Sequence, residues 1–149
     1  MTKKKTKLMI IVISAVLAFV TLLSVFTAIR LSDTIKTKDV SWTAYSVGSI
    51  SEDGNLEDNK KAICTKDFIT VDGLTCELDE EAEISYRLFY YDKDSKFISS
   101  SSFLNEDTTS VTVENAEFIR IVIIPTKDVE IGLTDIYKYA KQLTVTVNK

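Results

Sequence analysis

One run of residues constrains this chain more than any other feature, because Leu8 to Ile29 includes no charged side chain. Lys7 precedes the run and Arg30 follows it. As an α-helix rising about 1.5 Å per residue, the run would reach roughly 33 Å, which matches a bilayer hydrocarbon core of about 30 Å. A backbone inside lipid must satisfy its own hydrogen bonds. We therefore expect residues 8–29 to form one transmembrane helix that binds the lipid bilayer.

The segment ahead of this run, residues 1–7, is short and basic. By the positive-inside rule it stays in the cytoplasm, and everything after Arg30 lies outside the cell membrane. A cleaved signal peptide is the alternative, but its apolar core is only about 7–15 residues and small residues precede the cut. Bulky Phe26 lies close to a cut after Ala28, so we favour an uncleaved single-pass anchor. Residues 30–41 are then a spacer, and residues 42–149 form one extracytoplasmic domain.

The outer part of the chain is acidic. The net charge of the sequence is −4, and the four lysines of residues 1–7 contribute +4, so the chain from Arg30 onward carries −8. Such a domain is a poor nucleic-acid ligand. The sequence also has no histidine, which excludes Ser-His and Cys-His nucleophiles and His-ligated metals. No other pattern marks a catalytic pair, so we expect neither catalysis nor a cofactor.

Short runs of β-branched and aromatic residues recur after the anchor, separated by polar turns. This pattern is typical of a β-sandwich or barrel. The two longest runs are 84–91 and 118–124, and the first is apolar on both faces, as in a strand covered on both sides. Further strands are predicted at 68–71, 74–78, 96–99, 111–113, 129–131 and 143–147, and one helical turn at 134–139. The sequence therefore predicts an all-β fold of about eight antiparallel strands in two packed sheets.

The order of several short motifs resembles a known family. These motifs are Gly48-Ser-Ile50, Gly54, Phe68-Ile-x-Val71, Gly73, Tyr90-Tyr-Asp-Lys-Asp-Ser-Lys-Phe-Ile98 and Glu114-Asn-Ala-Glu-Phe-Ile-Arg-Ile121. They resemble the jelly-roll domains of the galactose-binding-like, carbohydrate-binding-module type, found in surface proteins of Gram-positive bacteria and in phage tail proteins. The resemblance covers roughly residues 42–147. It implies a jelly-roll β-sandwich and non-catalytic binding of a glycan or another cell-surface component. A structural or accessory subunit that docks onto a membrane-complex protein is the alternative.

Sugar binding needs exposed aromatic rings that stack on pyranose faces, together with polar groups for the hydroxyls. Trp42 and Tyr45 precede the first motif, and we expect them at the rim of a site. For Trp42, the alternative is that it fastens the N-terminal segment to the sandwich. Phe103 stands where the family often has a tryptophan, and it is the third candidate ligand-binding residue.

Asp92 and Asp94 are weak candidates for a calcium site. Calcium takes about 6–8 oxygen ligands, and two carboxylates from one turn fall short of that number. The alternative is an ordinary turn in which these side chains bond to nearby backbone N–H groups.

Cys64 and Cys76 are the only cysteines, and the predicted orientation exposes them to an oxidising compartment. If Asp72-Gly73 closes a tight hairpin, Cys64 lies about 17 Å along the strand from the residue that faces Cys76, too far for a disulfide. The sequence leaves both a bridge and two buried thiols open.

Two arginines, Arg87 and Arg120, stand within apolar runs. A mostly buried arginine needs carboxylate or carbonyl acceptors. We expect structural pairing for both, with ligand binding as the alternative.

Overall fold

The computed structural model of the chain describes residues 37–109 and 113–148. The predicted cytoplasmic segment 1–7 and transmembrane helix 8–29 lie outside these ranges, so they remain predictions. Within the described ranges, no helix is long and apolar enough to cross a membrane. The described part belongs to one compact unit that begins at Thr37.

The described residues form eleven strands and one short α-helix. In chain order the strands are β1 (Thr37–Asp39), β2 (Tyr45–Val47), β3 (Ser49–Ile50), β4 (Leu56–Glu57), β5 (Ile63–Thr65), β6 (Ile69–Thr70), β7 (Thr75–Leu78), β8 (Ile84–Tyr91), β9 (Phe97–Ser100), β10 (Phe118–Pro125) and β11 (Leu143–Asn148). The helix α1 is Ile136–Ala140, and 3₁₀ turns occupy Trp42–Ala44 and Leu133–Asp135. The predicted helical turn at 134–139 is confirmed by the second 3₁₀ turn and α1.

All strand pairings are antiparallel and build three sheets. The large sheet has the order β2-β5-β10-β8-β9, with β6 also paired to β10. A small sheet has the order β1-β11-β7, and β3 and β4 form a two-stranded ribbon. The longest ladder joins β10 to β8, from Phe118 opposite Tyr91 to Pro125 opposite Ile84. The prediction of an antiparallel, sandwich-like β fold is confirmed at this level.

The core lies between the large and the small sheet. Alternation along β8 sends Tyr86 and Leu88 into this core, where they meet inward-facing residues of β10, β11 and α1. A second apolar cluster covers the opposite, outer face of the large sheet and includes Phe89, Tyr91 and Val122. The two clusters explain why β8 is apolar on both faces, as the sequence predicted.

One strand prediction is wrong, and another falls mostly outside the described residues. Residues 129–131 form no strand, although the Ile131 N–H donates to the carbonyl of Lys60 at 2.7 Å. Among the described residues, no strand lies alongside this run to extend that single bond into a ladder. The predicted strand 111–113 lies mostly outside the described residues, and Val113 itself is not in a strand.

The turn at Asp72 and Gly73 does not close a hairpin. Gly73 has a φ of 62°, and the Leu74 N–H donates to the carbonyl of Val71 at 3.2 Å. The turn carries the chain from β6, which pairs with β10, to β7, which pairs with β11. It therefore passes between sheets, and the hairpin register considered from the sequence does not arise.

The sandwich also begins earlier than the predicted boundary at residue 42. Thr37–Asp39, which the sequence assigned to the spacer 30–41, pair with β11 as β1. The three side chains of β1 are exposed, so no apolar pattern marks this strand in the sequence.

Candidate binding groove

A surface groove of about 550 Å³ lies where β1 and the end of β11 approach the loop before β6. Its walls come from three separate stretches of the chain: Lys38, Asp39, Val40, Ser41, Thr43 and Ala44; Asp67, Phe68, Ile69 and Thr70; and Val147 and Asn148. We call this feature the β1–β6 groove.

Local hydrogen bonds hold one wall of the groove in place. Ser41 caps the first 3₁₀ turn, because its Oγ accepts the Thr43 N–H at 3.3 Å and its carbonyl accepts the Ala44 N–H at 2.9 Å. The turn is tied to the end of β5 by Lys66, whose N–H donates to Ala44 and whose Nζ donates to the Thr43 carbonyl. These bonds fix the position of Trp42 within the turn.

Trp42 lies in the turn beside the β1–β6 groove: Ser41 and Thr43 on either side of it line the groove, and Trp42 itself does not. Its side chain is 47% exposed. The indole meets the ring of Tyr137 in α1 edge to face, with centroids 5.7 Å apart. Trp42 thus fastens the turn to α1 and still presents apolar surface to solvent.

Phe68 supplies a second aromatic surface, within the lining itself. It is 37% exposed, and its ring contacts Tyr91 at 4.8 Å between centroids. The sequence placed Phe68 in a strand, but the strand includes only Ile69–Thr70. Phe68 lies in the preceding loop, and no pattern in the sequence distinguishes a loop aromatic from a strand aromatic here.

The polar groups of the groove fall into two kinds. Those of Asp39 and Thr70 are engaged, because Asp39 Oδ1 accepts from Thr146 Oγ1 and Thr70 Oγ1 accepts from the Asp72 N–H. Lys38 and Asp67 have no ion pair among the described residues. The groove therefore offers a free ammonium and a free carboxylate beside its aromatic surface.

The prediction that Tyr45 lies at the rim of a site is wrong. It begins β2 with its side chain turned into the core, where it is 2% exposed. Its hydroxyl has no hydrogen-bond partner among the described residues, and burial raises the pKa of the phenol well above its usual value. Tyr45 is inaccessible to a ligand. A strand of three residues has too little alternation to reveal which face its first side chain takes.

Phe103 is half-exposed but does not line the groove. Its ring lies 5.7 Å from the guanidinium carbon of Arg87. Arg87 has the structural pairing expected for it: both Nη atoms donate to the Glu52 carboxylate, at 2.7 and 3.0 Å, and Nε donates to the Ser101 carbonyl. This ion pair holds the pKa of Glu52 below its usual value.

Asp92 and Asp94 form a turn. Oδ1 of Asp92 accepts the N–H groups of Asp94 and Lys96, both at 2.9 Å, so this carboxylate oxygen closes the loop between β8 and β9. In the part of the chain that the structure describes, no group of three or more acidic or cysteine side chains is arranged to hold a metal ion.

Both cysteines are buried free thiols, the second of the two alternatives that the sequence left open. Cys64 faces the outer cluster of the large sheet, whereas Cys76 lies in the core between the sheets. The bridge is absent because the Cys64 side chain points to the outer face of the large sheet, away from the core in which Cys76 lies. Burial raises the pKa of both thiols, that of Cys76 to about 12, which makes them poor nucleophiles.

No protein-family model, curated protein or solved structure matches this chain. Fold and groove together define its class: an antiparallel, sandwich-like β domain with exposed aromatic side chains beside a polar groove.

Proposed function

We propose that this protein is a membrane-anchored, extracytoplasmic binding module that recognises a glycan or a similar cell-surface component without catalysis. The observation that carries the proposal is the β1–β6 groove, which has the exposed ring of Phe68 and several polar side chains in its lining and the exposed ring of Trp42 in the turn beside it. Sugar sites need this combination, because pyranose faces are apolar and pyranose edges carry hydroxyls.

The proposal includes two finer statements. First, the sandwich is a jelly roll of the galactose-binding-like type, which the motif resemblance supports and the six-stranded and three-stranded sheets permit. Second, the uncharged run Leu8 to Ile29 anchors the domain on the outer side of the cell membrane, as the basic N-terminus favours. Protease treatment of intact cells tests this orientation, since it should remove the domain and leave the anchor in the membrane fraction.

The binding experiment uses the full chain in a neutral detergent against arrayed glycans and cell-wall fragments. Trp42→Ala and Phe68→Ala should each weaken binding about fivefold, because each removes a stacking surface worth roughly 1 kcal/mol. Phe103→Ala is the matched control, since it removes an exposed ring that belongs neither to the lining of the groove nor to the turn of residues 41–44 beside it. Equal losses of affinity in all three variants would reject the groove as the site. Failure of the wild-type chain to bind any fragment would reject the ligand class.

A second candidate is a docking subunit of a membrane or cell-envelope assembly. Leu133 is 81% exposed. Leu133, Tyr137 and Lys141 follow one another at intervals of four residues, so they share one exposed side of the helical segment. Trp42 lies beside this side, in contact with Tyr137. If this side binds a partner protein, Leu133→Glu should abolish co-purification of a defined partner and leave glycan affinity unchanged. The reverse pattern would favour the glycan-binding proposal.

A further inference from the structure

Arg120 and Arg87 occupy the same face of the large sheet. In the β8–β10 ladder, Arg120 lies opposite Phe89 and Arg87 lies opposite Val122. Side chains that face each other across an antiparallel pair share a face, and so do side chains two residues apart on one strand. The two guanidinium groups therefore project from adjacent strands on the outer face, as diagonal neighbours.

Only one of these arginines has its hydrogen bonds satisfied. Every nitrogen of Arg87 donates to a protein oxygen. Nε of Arg120 is buried without a partner, and no hydrogen bond or ion pair joins its other nitrogens to the described residues. The contact of this guanidinium is with the Phe68 ring, 4.4 Å from its carbon to the ring centroid.

The contact with Phe68 leaves the charge of Arg120 without an anion. A ring face attracts a cation but accepts no strong N–H hydrogen bond, and a buried N–H without an acceptor is destabilising. The neighbouring positive charge of Arg87 is balanced by Glu52. In a domain whose net charge is −8 from Arg30 onward, Arg120 is a local positive site.

The Arg120 side chain is accessible from solvent. Arg120 is partly exposed, and Phe68, which covers it, is 37% exposed and belongs to a loop. Phe68 also lines the β1–β6 groove, so its ring separates the groove from the guanidinium.

We propose that the Arg120 guanidinium is a binding site for an oxyanion, a carboxylate or a phosphate-type group, supplied from outside the chain. A guanidinium presents planar pairs of donors that match two oxygens of such a group. The site does not require that the groove bind a glycan. If the groove does bind one, Arg120 favours a glycan that carries an acidic substituent.

The test is thermal unfolding of the full chain in neutral detergent, with increasing inorganic phosphate or acetate at constant ionic strength. A ligand that binds the folded state raises the Tm. We expect a rise that grows with the logarithm of the anion concentration above the Kd and reaches about 5 °C at a tenfold excess, and no such rise in Arg120→Met. Lys93→Met is the matched control, because it removes an exposed lysine that has no ion pair among the described residues.

The Tm response of the Arg120 variants, compared with that of the wild type, decides between the outcomes. A rise confined to chains that retain Arg120 supports the site, and the stronger of the two anions names the group it prefers. Arg120→Gln repeats the test if the methionine variant does not fold. The proposal would be overturned if neither anion raised the Tm, or if the Arg120 variants showed the same rise as the wild type.

The source of the anion is distinguished by polymers. Oligogalacturonate and a neutral oligosaccharide of the same length are compared for affinity, with wild type and Arg120→Met. Loss of preference for the acidic polymer in the variant assigns the group to a glycan. If neither polymer binds while the phosphate or acetate response persists, the glycan proposal fails and the oxyanion site remains.

Discussion

Removing the buried hydroxyl of Tyr45 is predicted to stabilise the protein, whereas most substitutions destabilise it. Tyr45→Phe should stabilise the folded state, because the change removes a polar group that is buried without a partner. An unsatisfied buried hydroxyl costs about 1–3 kcal/mol, and the small cavity that the missing oxygen leaves offsets part of the gain from removing it. We expect a gain of about 1 kcal/mol in the free energy of unfolding.

Tyr86 provides the matched control for this prediction. Its hydroxyl donates to the Glu106 carbonyl at 2.8 Å and lies 2.7 Å from Thr108 Oγ1. Tyr86→Phe removes the same atom but leaves these partners unpaired, so it should cost about 1 kcal/mol. The free energies of unfolding of the two variants should therefore change in opposite directions and differ from each other by about 2 kcal/mol.

Urea denaturation followed by circular dichroism measures both changes. A shift of the midpoint at constant slope reports a change in stability alone. The reasoning is refuted if Tyr45→Phe is destabilised as much as Tyr86→Phe, because the Tyr45 hydroxyl would then have a partner. Tyr45→Phe should also leave ligand affinity unchanged, whereas Tyr45→Ala should lose about 3–5 kcal/mol of stability.

Three further predictions follow from the described contacts. Burial raises the pKa of Cys76 from 9.0 to about 12. The contribution of the neutral thiol to stability is therefore complete below pH 9 and is lost as the pH rises toward 12. Between pH 9 and pH 10 the urea midpoint should fall less steeply in Cys76→Ala than in the wild type. Arg87 lowers the pKa of Glu52 from 4.5, so this contribution is present above pH 4.5 and lost below it; the difference in urea midpoint between pH 6 and pH 3 should shrink in Glu52→Gln. Gly54→Ala should cost about 2–3 kcal/mol in the same assay, because φ is +78° and a Cβ would lie 2.4 Å from the Phe97 ring.

The long strands could be predicted from the sequence because they repeat their pattern over many residues. The run 84–91 became β8 with the same bounds, and 118–124 became β10 with one more residue. Each is apolar on both faces, and each is covered by an apolar cluster on either side. Length and periodicity are sufficient to locate such central strands.

The short strands and the groove could not be predicted, for a different physical reason. Strands of two or three residues, such as β2 and β5, complete too few alternations to show a face. The groove is assembled from stretches far apart in sequence, and it exists only because β1 pairs with β11 beside the loop that carries Phe68. Trp42 was predicted as a site residue from its aromatic character, but the same argument also selected the buried Tyr45.

The most direct test of the proposed binding site uses Trp42, the single tryptophan of the chain. Its emission is titrated with the glycan or wall fragment that binds best, in the full chain and in the double variant Trp42→Phe, Phe103→Trp. The account predicts a saturable blue shift for the wild type, since the ligand excludes water from the indole, and no shift for the variant whose tryptophan lies away from the groove. A ligand that binds both chains and shifts only the emission of the tryptophan at position 103 would contradict it.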